Sequence, residues 1–289
     1  MTHTVLVDCD NTMGVPGRPI DDGQTLLYLF GRPDIELVGI TTSFGNGPID
    51  EVHGATEKLL RDLGREGIPL VQGEGERGQA PTAAASFLAE TAAASPGEIS
   101  LLALGPVGNL YAASKLDPAF WDNLKQIVVM GGYLHALPGS YWENVPELNL
   151  SSNPEAASAL LNASCLVTLM NAHVCLDAPF GLPELERLEQ WRGSSIYRSL
   201  YDWLLQCEIG PGQPGDYLWD LLPAVYISHP ELFDEHPVWI RSTVPDMETG
   251  TLLPGQEGDG ALINMPTRIQ DVDRFYAILY EAWSQVPVE

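Results

Sequence analysis

Short apolar runs alternate with segments of helical periodicity along the first half of the chain. The runs are rich in leucine and β-branched residues and do not alternate with polar residues, which is typical of parallel strands covered on both faces. Strands are predicted at Thr4–Val7, Leu37–Thr41, Pro69–Val71, Leu101–Leu104, Ile127–Met130 and Leu166–Met170. Helices are predicted at Gly23–Phe30, Ile49–Leu63, Thr82–Ala93, Asn109–Ser114 and Pro154–Leu161. This alternation predicts an α/β fold with an open, mostly parallel, doubly wound sheet.

The C-terminal half has a more helical pattern. Helices are predicted at Leu182–Gln206, Trp219–Ser228 and Asp271–Ser284, and short strands at Val238–Thr243, Thr251–Leu253 and Ala261–Ile263. The run Gly210–Gly215 is interpreted as a loop and not as a domain linker, because the helix that follows it carries a candidate functional acid, Asp220. We therefore expect residues 1–289 to form a single domain.

Composition and charge narrow the range of partners. The chain has 289 residues, of which 45% are hydrophobic, so a sizeable core can form. Its formal net charge of −25 repels phosphate backbones and anionic lipids, so neither nucleic acid nor a membrane is an expected partner. The four cysteines form no CxxC pair, and neither a signal peptide nor a membrane-spanning run is visible. A cytoplasmic location is expected.

Two pairs of acids flank the turn that follows the first predicted strand. Asp8 and Asp10 lie at the end of that strand, and Asp21 and Asp22 lie at the start of the next helix. A helix dipole offsets only about 0.3–1 kcal/mol of repulsion per charge, whereas a divalent cation offsets far more. Ligands that are all oxygen favour Ca²⁺ or Mg²⁺. The alternative is that Asp21 caps the helix and the strand end is solvated.

The segment VLVDCDNT also matches hhhDxDxT, the nucleophile loop of haloacid-dehalogenase-like phosphatases. In those enzymes the first Asp attacks phosphorus and the second acts as acid and base, with Mg²⁺. That chemistry needs a downstream lysine and a late acidic pair after a strand. Lys115 lies in a predicted helix, Lys125 precedes a predicted strand, and Gly258–Leu262 matches the acidic pair poorly. A magnesium-dependent phosphatase is therefore kept as an alternative.

A series of motifs between Val5 and Phe233 matches one family in order and spacing. The acids Asp8, Asp10, Asp21 and Asp22 match DxDPGxDD, and GITTSFGN, which contains Asn46, is similar to GITTxxGN. Further along, LLALGPVGNL is similar to ATGPLTNL, IVVMGG with PELN to IVVMGG with AEFN, and LWDLLPAVYISHPELF to a helix that begins with HD or WD. Together these motifs resemble the nucleoside hydrolase family, which includes inosine-uridine-preferring and purine-preferring N-ribohydrolases, and imply that family's fold.

The resemblance implies a role for each matching residue. Ca²⁺ would be held by Asp10, Asp22, the main-chain carbonyl of Leu104 and Asp220. Ribose would be bound by Asp21, Asn144, Glu147, Asn149 and Asp220, with Asn144 at the 5′-hydroxyl, Met130 beneath the sugar and Asn46 orienting the carboxylates. Asp10 would act as general base toward a water activated by Ca²⁺, and the acidic pocket would stabilise an oxocarbenium-like transition state.

Trp219 bears on which base the enzyme prefers. Part of the family has a proton-donating histidine at this position, whereas a part that prefers purine nucleosides has tryptophan. A stacked indole stabilises a base by about 1–3 kcal/mol, so Trp219 favours purine nucleosides; the alternative is that Trp219 packs in the core. The resemblance also implies a homodimer or homotetramer.

The sequence departs from the family in two places. Ten residues, Asn11–Ile20, separate Asp10 from Asp21 where the family has three, and this insert is expected to bulge at the mouth of the site. The loop Tyr133–Val145 is rich in aromatic residues and is expected either to cover the base or to contact another subunit. His135, on this loop, is a further candidate for the general acid. The remaining histidines are scattered and are expected to be structural.

A third class of function keeps the fold without the reaction. A non-catalytic protein that binds calcium or a pentose would need the same acids, but it would have no use for a general base. The presence of Asp10 therefore favours an enzyme over a binding protein.

Overall fold

The computed structural model describes residues 2–78, 81–137 and 145–288. Within these residues an eight-stranded sheet has the order β10-β11-β6-β5-β4-β1-β2-β3. Its strands are β1 His3–Cys9, β2 Ile35–Thr42, β3 Leu70–Gln72, β4 Ile99–Ala103, β5 Leu124–Met130, β6 Leu166–Met170, β10 Pro237–Ile240 and β11 Ala261–Asn264. The strand pairs are parallel except for β10 with β11. The predicted α/β fold with a mostly parallel sheet is confirmed.

Helices connect these strands and cover both faces of the sheet. They are α1 Asp21–Gly31, α2 Ile49–Asp62, α3 Ala83–Ala94, α4 Gly108–Leu116, α5 Phe120–Asn123, α6 Leu148–Ser151, α7 Pro154–Leu161, α8 Ala172–Cys175, α9 Leu182–Glu186, α10 Ser195–Leu204, α11 Leu221–Ser228, α12 Val244–Met247 and α13 Val272–Ser284. Short 3₁₀ turns occupy Glu189–Trp191 and Pro230–Leu232. Helix α7 begins as its sequence indicates, with Asn153 accepting a hydrogen bond from Ala156 N and proline at the first helical position.

The central strands are buried on both faces because their side chains alternate between two apolar layers. In β1, Val5 and Val7 pack into one layer, and Leu6 packs into the other. In β5, Val128 belongs to the first layer and Val129 to the second. This explains why the strands appear in the sequence as continuous apolar runs without polar alternation.

The chain changes direction across the sheet at β1. Strands β2 and β3 follow on one side of β1, and β4, β5 and β6 follow on the other. At such a switch point the connections leave in opposite directions and open a crevice beyond the carboxyl ends of the strands. That crevice lies between β1 and β4, next to the candidate acids.

The C-terminal half differs from its prediction in several elements. Gly210–Gly215 was predicted as a loop, but it lies mostly in a hairpin that joins β8 Glu208–Gly210 to β9 Gln213–Tyr217. Gly212, at the turn, has a φ of 68°, which glycine adopts without strain. Strand β9 also pairs with β7 Pro179–Gly181, forming a small second sheet. Thr251–Leu253 is not a strand and forms an isolated bridge instead, from Thr251 to Tyr133.

The predicted helical stretch Leu182–Gln206 is divided into α9, a 3₁₀ turn and α10, with Gly193 between them at a φ of 96°. Helix α11 begins at Leu221, two residues later than predicted, so that Trp219 and Asp220 precede its first turn. No helix in the described residues is long and apolar enough to cross a lipid bilayer.

Helix α1, which begins with Asp21 and Asp22, packs closely against α13, so its stability can be tested at the contact. A methyl group on Gly31 would collide with the carbonyl oxygen of Ala282, whereas nothing lies within 4 Å of a methyl group on Gly54 in α2. We expect Gly31→Ala to lower the free energy of unfolding by roughly 1–3 kcal/mol through overpacking. The matched control Gly54→Ala should raise it by about 0.5–1 kcal/mol. Urea denaturation measures both, and equal effects of the two substitutions would contradict the packing.

Candidate active site

Four of the candidate acids converge on the crevice between β1 and β4. Asp10 follows β1, Asp21 and Asp22 form the first turn of α1, and Asp220 lies immediately before α11. Oxygen atoms of Asp21, Asp22 and Asp220 all lie within 4.8 Å of one another. Residues that are about 200 positions apart in the sequence are therefore brought together by the fold.

Asp10 lies beside this group of three, and Asn46 links it to Asp22. The main-chain N–H of Asn46 donates to Asp10 Oδ2 at 2.6 Å, and its side-chain amide donates to Asp22 Oδ2 at 3.2 Å. Asp10 N also donates to Asp22 Oδ1 at 3.2 Å. These contacts fix the relative orientation of two carboxylates, which is the task expected for Asn46. The group of three includes Asp21, which had been assigned to the sugar, and does not include Asp10.

A second group of polar residues lines the cavity at the start of α6. Glu147 accepts hydrogen bonds from the main-chain N–H groups of Asn149 and Leu150, each at 2.9 Å. The side-chain amide of Asn149 donates to the carbonyl oxygens of Leu104 and Met130, at 2.8 and 3.1 Å. This amide therefore ties the ends of β4 and β5 to the wall of the crevice.

The buried acids of the crevice hold their protons more tightly than exposed acids do. Burial, and then the charge of Asp21 among other contacts, raises the pKa of Asp10 to about 8. Burial and neighbouring carboxylates raise the pKa values of Asp21, Asp22 and Asp220 well above their usual range. No Lys, Arg or His is among the described residues that line the crevice. A cation bound here would supply the missing positive charge and lower these pKa values.

The site rests on a buried polar layer below it. Asp8, which is fully buried, accepts hydrogen bonds from Thr41 Oγ1 at 2.5 Å and from the Asn109 amide at 2.9 Å. Glu74 lies nearby, 3% exposed, and its Oε1 has no hydrogen-bond partner among the described residues. Burial and the charge of Asp8 raise the pKa of Glu74 to about 7. Asp8 therefore supports the end of β1 and is not among the residues that line the crevice.

The crevice opens into a cavity of about 470 Å³, a volume suited to a small molecule. The candidate residues that line it are Asp10, Asp21, Asn46, Leu104, Met130, Glu147, Asn149, Trp219 and Asp220. Asp22 is buried and is not one of the lining residues. Asn144, expected at the 5′-hydroxyl, lies outside the described residues, as does most of the aromatic loop Tyr133–Val145.

The aromatic end of the cavity is the part lined by Trp203, Tyr217 and Trp219, of which only Trp219 was predicted. Trp219 is 8% exposed, and its ring lies 5.3 Å from the ring of Tyr217, edge to face. Trp203 lines the same end, and Asp216 accepts hydrogen bonds from the indole N–H groups of Trp203 and Trp219 at 2.7 and 3.0 Å. Trp203 belongs to α10, inside the predicted helical stretch Leu182–Gln206, and Asp216 belongs to β9, directly after the predicted loop Gly210–Gly215. No functional role was predicted for either residue.

The insert Asn11–Ile20 forms part of the cavity wall. Its first residue is anchored, because the Asn11 side-chain amide donates to Thr56 Oγ1 in α2 at 3.2 Å. Met13 packs against Gly23 at the start of α1, and Pro19 lines the cavity. The insert therefore contributes Pro19 to the cavity wall without separating the acids on either side of it, since Asp10 N still donates to Asp22 Oδ1.

His135, the alternative general acid, is exposed and does not line the cavity. Its ring contacts that of His173, with centroids 4.1 Å apart. The fold therefore brings together two histidines that are 38 residues apart in the sequence. The lysines required by the phosphatase alternative, Lys115 and Lys125, do not line the cavity either.

Comparison with known proteins agrees with this geometry. A family model described as inosine-uridine preferring nucleoside hydrolase matches residues 5–277. The chain belongs to the nucleoside hydrolase family. As a member, it is an N-glycosyl hydrolase that acts on nucleosides. The phosphatase alternative is accordingly set aside.

Individual nucleoside hydrolases resemble the chain over most of its length. A probable uridine nucleosidase 1 of Oryza sativa subsp. japonica is 28% identical, over 87% of this chain and 85% of that protein. Uridine nucleosidase 1 of Arabidopsis thaliana is 27% identical, over 79% and 75%. The structure of a purine-preferring ribonucleoside hydrolase from Gardnerella vaginalis superimposes with a TM-score of 0.84 at 20% identity, covering 98% of this chain and 99% of that one. At that identity the superposition shows a shared fold.

The raised pKa of Glu74 predicts how the thermal stability of this nucleoside hydrolase depends on pH. Because folding raises the pKa of Glu74 from 4.5 to about 7, its protonated form is favoured in the folded state, and stability falls as pH rises through that window. We expect Glu74→Gln to leave the melting temperature unchanged near pH 4.5 and to raise it by roughly 2–6 °C above pH 7. The exposed Glu76→Gln is the control. The melting temperatures of the unmodified protein and the two variants are measured across this pH range with a chelator present. If all three depended on pH in the same way, the raised pKa of Glu74 would be contradicted.

Proposed function

We propose that the chain hydrolyses purine ribonucleosides to ribose and free base, with Ca²⁺ as its cofactor. One observation carries the proposal: buried carboxylates and tryptophan rings line one and the same cavity. Carboxylates and amides suit the hydroxyl groups of a sugar, and indole rings suit the flat face of a base. A nucleoside has both parts, and a cavity of about 470 Å³ suits a small molecule of this kind.

The donors at the acidic end fit a hard divalent cation. Asp21, Asp22 and Asp220 offer only oxygen, and the buried Oδ1 of Asp21 has no hydrogen-bond partner among the described residues. Asp10, Asp22, Asp220 and the carbonyl oxygen of Leu104 would hold Ca²⁺, with Asp21 close enough to share it. When bound, the ion would supply the positive charge that lowers the pKa of a nearby water.

The chain's own groups would carry the remaining steps. Asp10 would take a proton from the attacking water, since its carboxylate is oriented by Asn46. Glu147 and Asn149 would hold the ribose over Met130, and the surrounding carboxylates would stabilise positive charge as the sugar approaches an oxocarbenium ion. Asn144 remains the proposed partner of the 5′-hydroxyl.

The preference for purines is supported by the aromatic end of the cavity. Trp203, Tyr217 and Trp219 line it together, and a bicyclic base covers more of these rings than a pyrimidine does. Relatives are named both for uridine and for purine substrates. The proposal therefore depends on this chain's own aromatic residues and not on those names.

We further propose a cytoplasmic homodimer or homotetramer. The four cysteines, all of them among the described residues, are free thiols, which suits a reducing compartment. Light scattering after gel filtration measures the oligomeric state directly.

Calcium binding should strengthen as pH rises from 6 to 8, because carboxyl groups with raised pKa values must release protons before they bind the ion. Isothermal titration calorimetry with CaCl₂ measures this dependence. Asp22→Asn should weaken binding by roughly tenfold or more. The control Asp50→Asn removes an exposed acid from the first turn of α2 and should have no effect. Binding that is independent of pH, or unaffected by Asp22→Asn, would contradict the proposed ligands.

The reaction can be tested with a panel of inosine, adenosine, uridine, cytidine and p-nitrophenyl phosphate. We expect ribose release from the purine nucleosides, slower release from the pyrimidines, and no phosphatase activity. Asp10→Ala should lower kcat by roughly 100- to 10,000-fold because the general base is lost, while ribose still binds in calorimetry.

Each alternative has its own outcome in this panel. Ribose binding by the unmodified protein without turnover of any nucleoside would instead support a non-catalytic pentose-binding protein. Faster turnover of uridine than of inosine would disprove the purine preference and leave the nucleoside hydrolase reaction standing. Asp50→Asn again serves as the control for a lost carboxylate.

A further inference from the structure

One carboxylate joins the two tryptophan rings at the aromatic end of the cavity. Asp216 Oδ2 accepts a hydrogen bond from Trp203 Nε1 at 2.7 Å, and Asp216 Oδ1 accepts one from Trp219 Nε1 at 3.0 Å. Oδ1 also accepts from Tyr217 N at 2.8 Å. Three N–H groups thus converge on a single side chain, and the two indoles come from different elements, α10 and the segment before α11.

The position of this carboxylate is set by the small sheet. Asp216 lies in β9, opposite Phe180 of β7, which is buried. An indole has only a donor at Nε1, so each ring needs an acceptor at its edge, and a hydrogen bond there fixes the plane of the ring. The sheet therefore places the acceptor, and the acceptor orients both rings.

We propose that Asp216 is a positioning residue that holds the rings of Trp203 and Trp219 as the two aromatic surfaces that receive the nucleobase. The inference rests on the proposed function. A negative charge at the N–H edge also increases the electron density of an indole face, which favours a base that gains positive charge as it takes up a proton and leaves. Asp216 would thus act on the leaving base through the tryptophans, without touching the sugar.

The test compares two substrates that differ in the leaving group. Hydrolysis of inosine releases a purine base, whose departure is favoured by stacking and protonation. Hydrolysis of p-nitrophenyl riboside releases a phenolate that needs no proton. Asp216→Asn keeps the shape but leaves only one acceptor for two indole N–H groups. We expect kcat/KM for inosine to fall by roughly 10- to 100-fold, mainly through kcat. For p-nitrophenyl riboside the loss should be clearly smaller, because the sugar- and metal-binding residues are affected only through the charge that Asp216 exerts on Asp21.

Asp202→Asn is the matched control, because it removes an exposed carboxylate next to Trp203 in the same helix. It should leave both substrates unaffected. A second readout does not depend on activity: the indole N–H resonances of Trp203 and Trp219, assigned with Trp203→Phe and Trp219→Phe. At least one of them should move upfield in Asp216→Asn and neither in Asp202→Asn.

The outcomes separate this inference from the proposed function. Unchanged kcat/KM for inosine in Asp216→Asn, equal losses on both substrates, or unmoved indole resonances would each overturn the inference alone. If the unmodified enzyme released no ribose from any nucleoside, the proposed function would fail, and the inference would fail with it. A selective loss on inosine together with a shifted indole resonance supports both.

Discussion

The repulsion among buried carboxylates in one crevice is the constraint on which the rest of the site depends. Several of these acids are held by neutral donors: Asn46 donates to Asp10 and Asp22, and main-chain N–H groups donate to Glu147, whereas the buried Oδ1 of Asp21 has no partner among the described residues. These donors orient the acids but do not neutralise them, and the raised pKa values show the remaining electrostatic cost. A fold that maintains such a cluster gains from it only when a positive charge, on an ion or on a sugar, enters the crevice.

The fold and the acidic end were predictable because their signals are local. Strands buried on both faces leave continuous apolar runs, as at Ile127–Met130, which is the buried C-terminal part of β5 Leu124–Met130. Parallel strands also bring their carboxyl ends to one edge, so acids that follow β1 and begin α1 were expected to meet. Asp220 was placed with them only by resemblance, since nothing in its own segment indicates a contact with Asp10.

The aromatic end was not predictable in the same way. Trp203 lies in an amphipathic helix whose sequence is that of an ordinary surface helix, and Asp216 lies in a run that glycine and proline mark as a turn. Their hydrogen bonds depend on the pairing of β9 with β7, about 35 residues apart in the sequence. The sequence does carry one usable signal, the spacing of three residues between Asp216 and Trp219. This spacing indicates the hydrogen bond between the two side chains only when the β8–β9 hairpin is known.

The insert Asn11–Ile20 has a consequence for how this enzyme can diversify. Pro19 forms part of the wall, while Asn11 and Met13, which do not line the cavity, anchor the insert to α2 and α1. Mutations at Pro19, or at the neighbouring Gly14 to Arg18 that position it, would change this part of the wall without moving the acids. Selectivity for the leaving group can therefore drift in evolution while the hydrolytic chemistry is conserved.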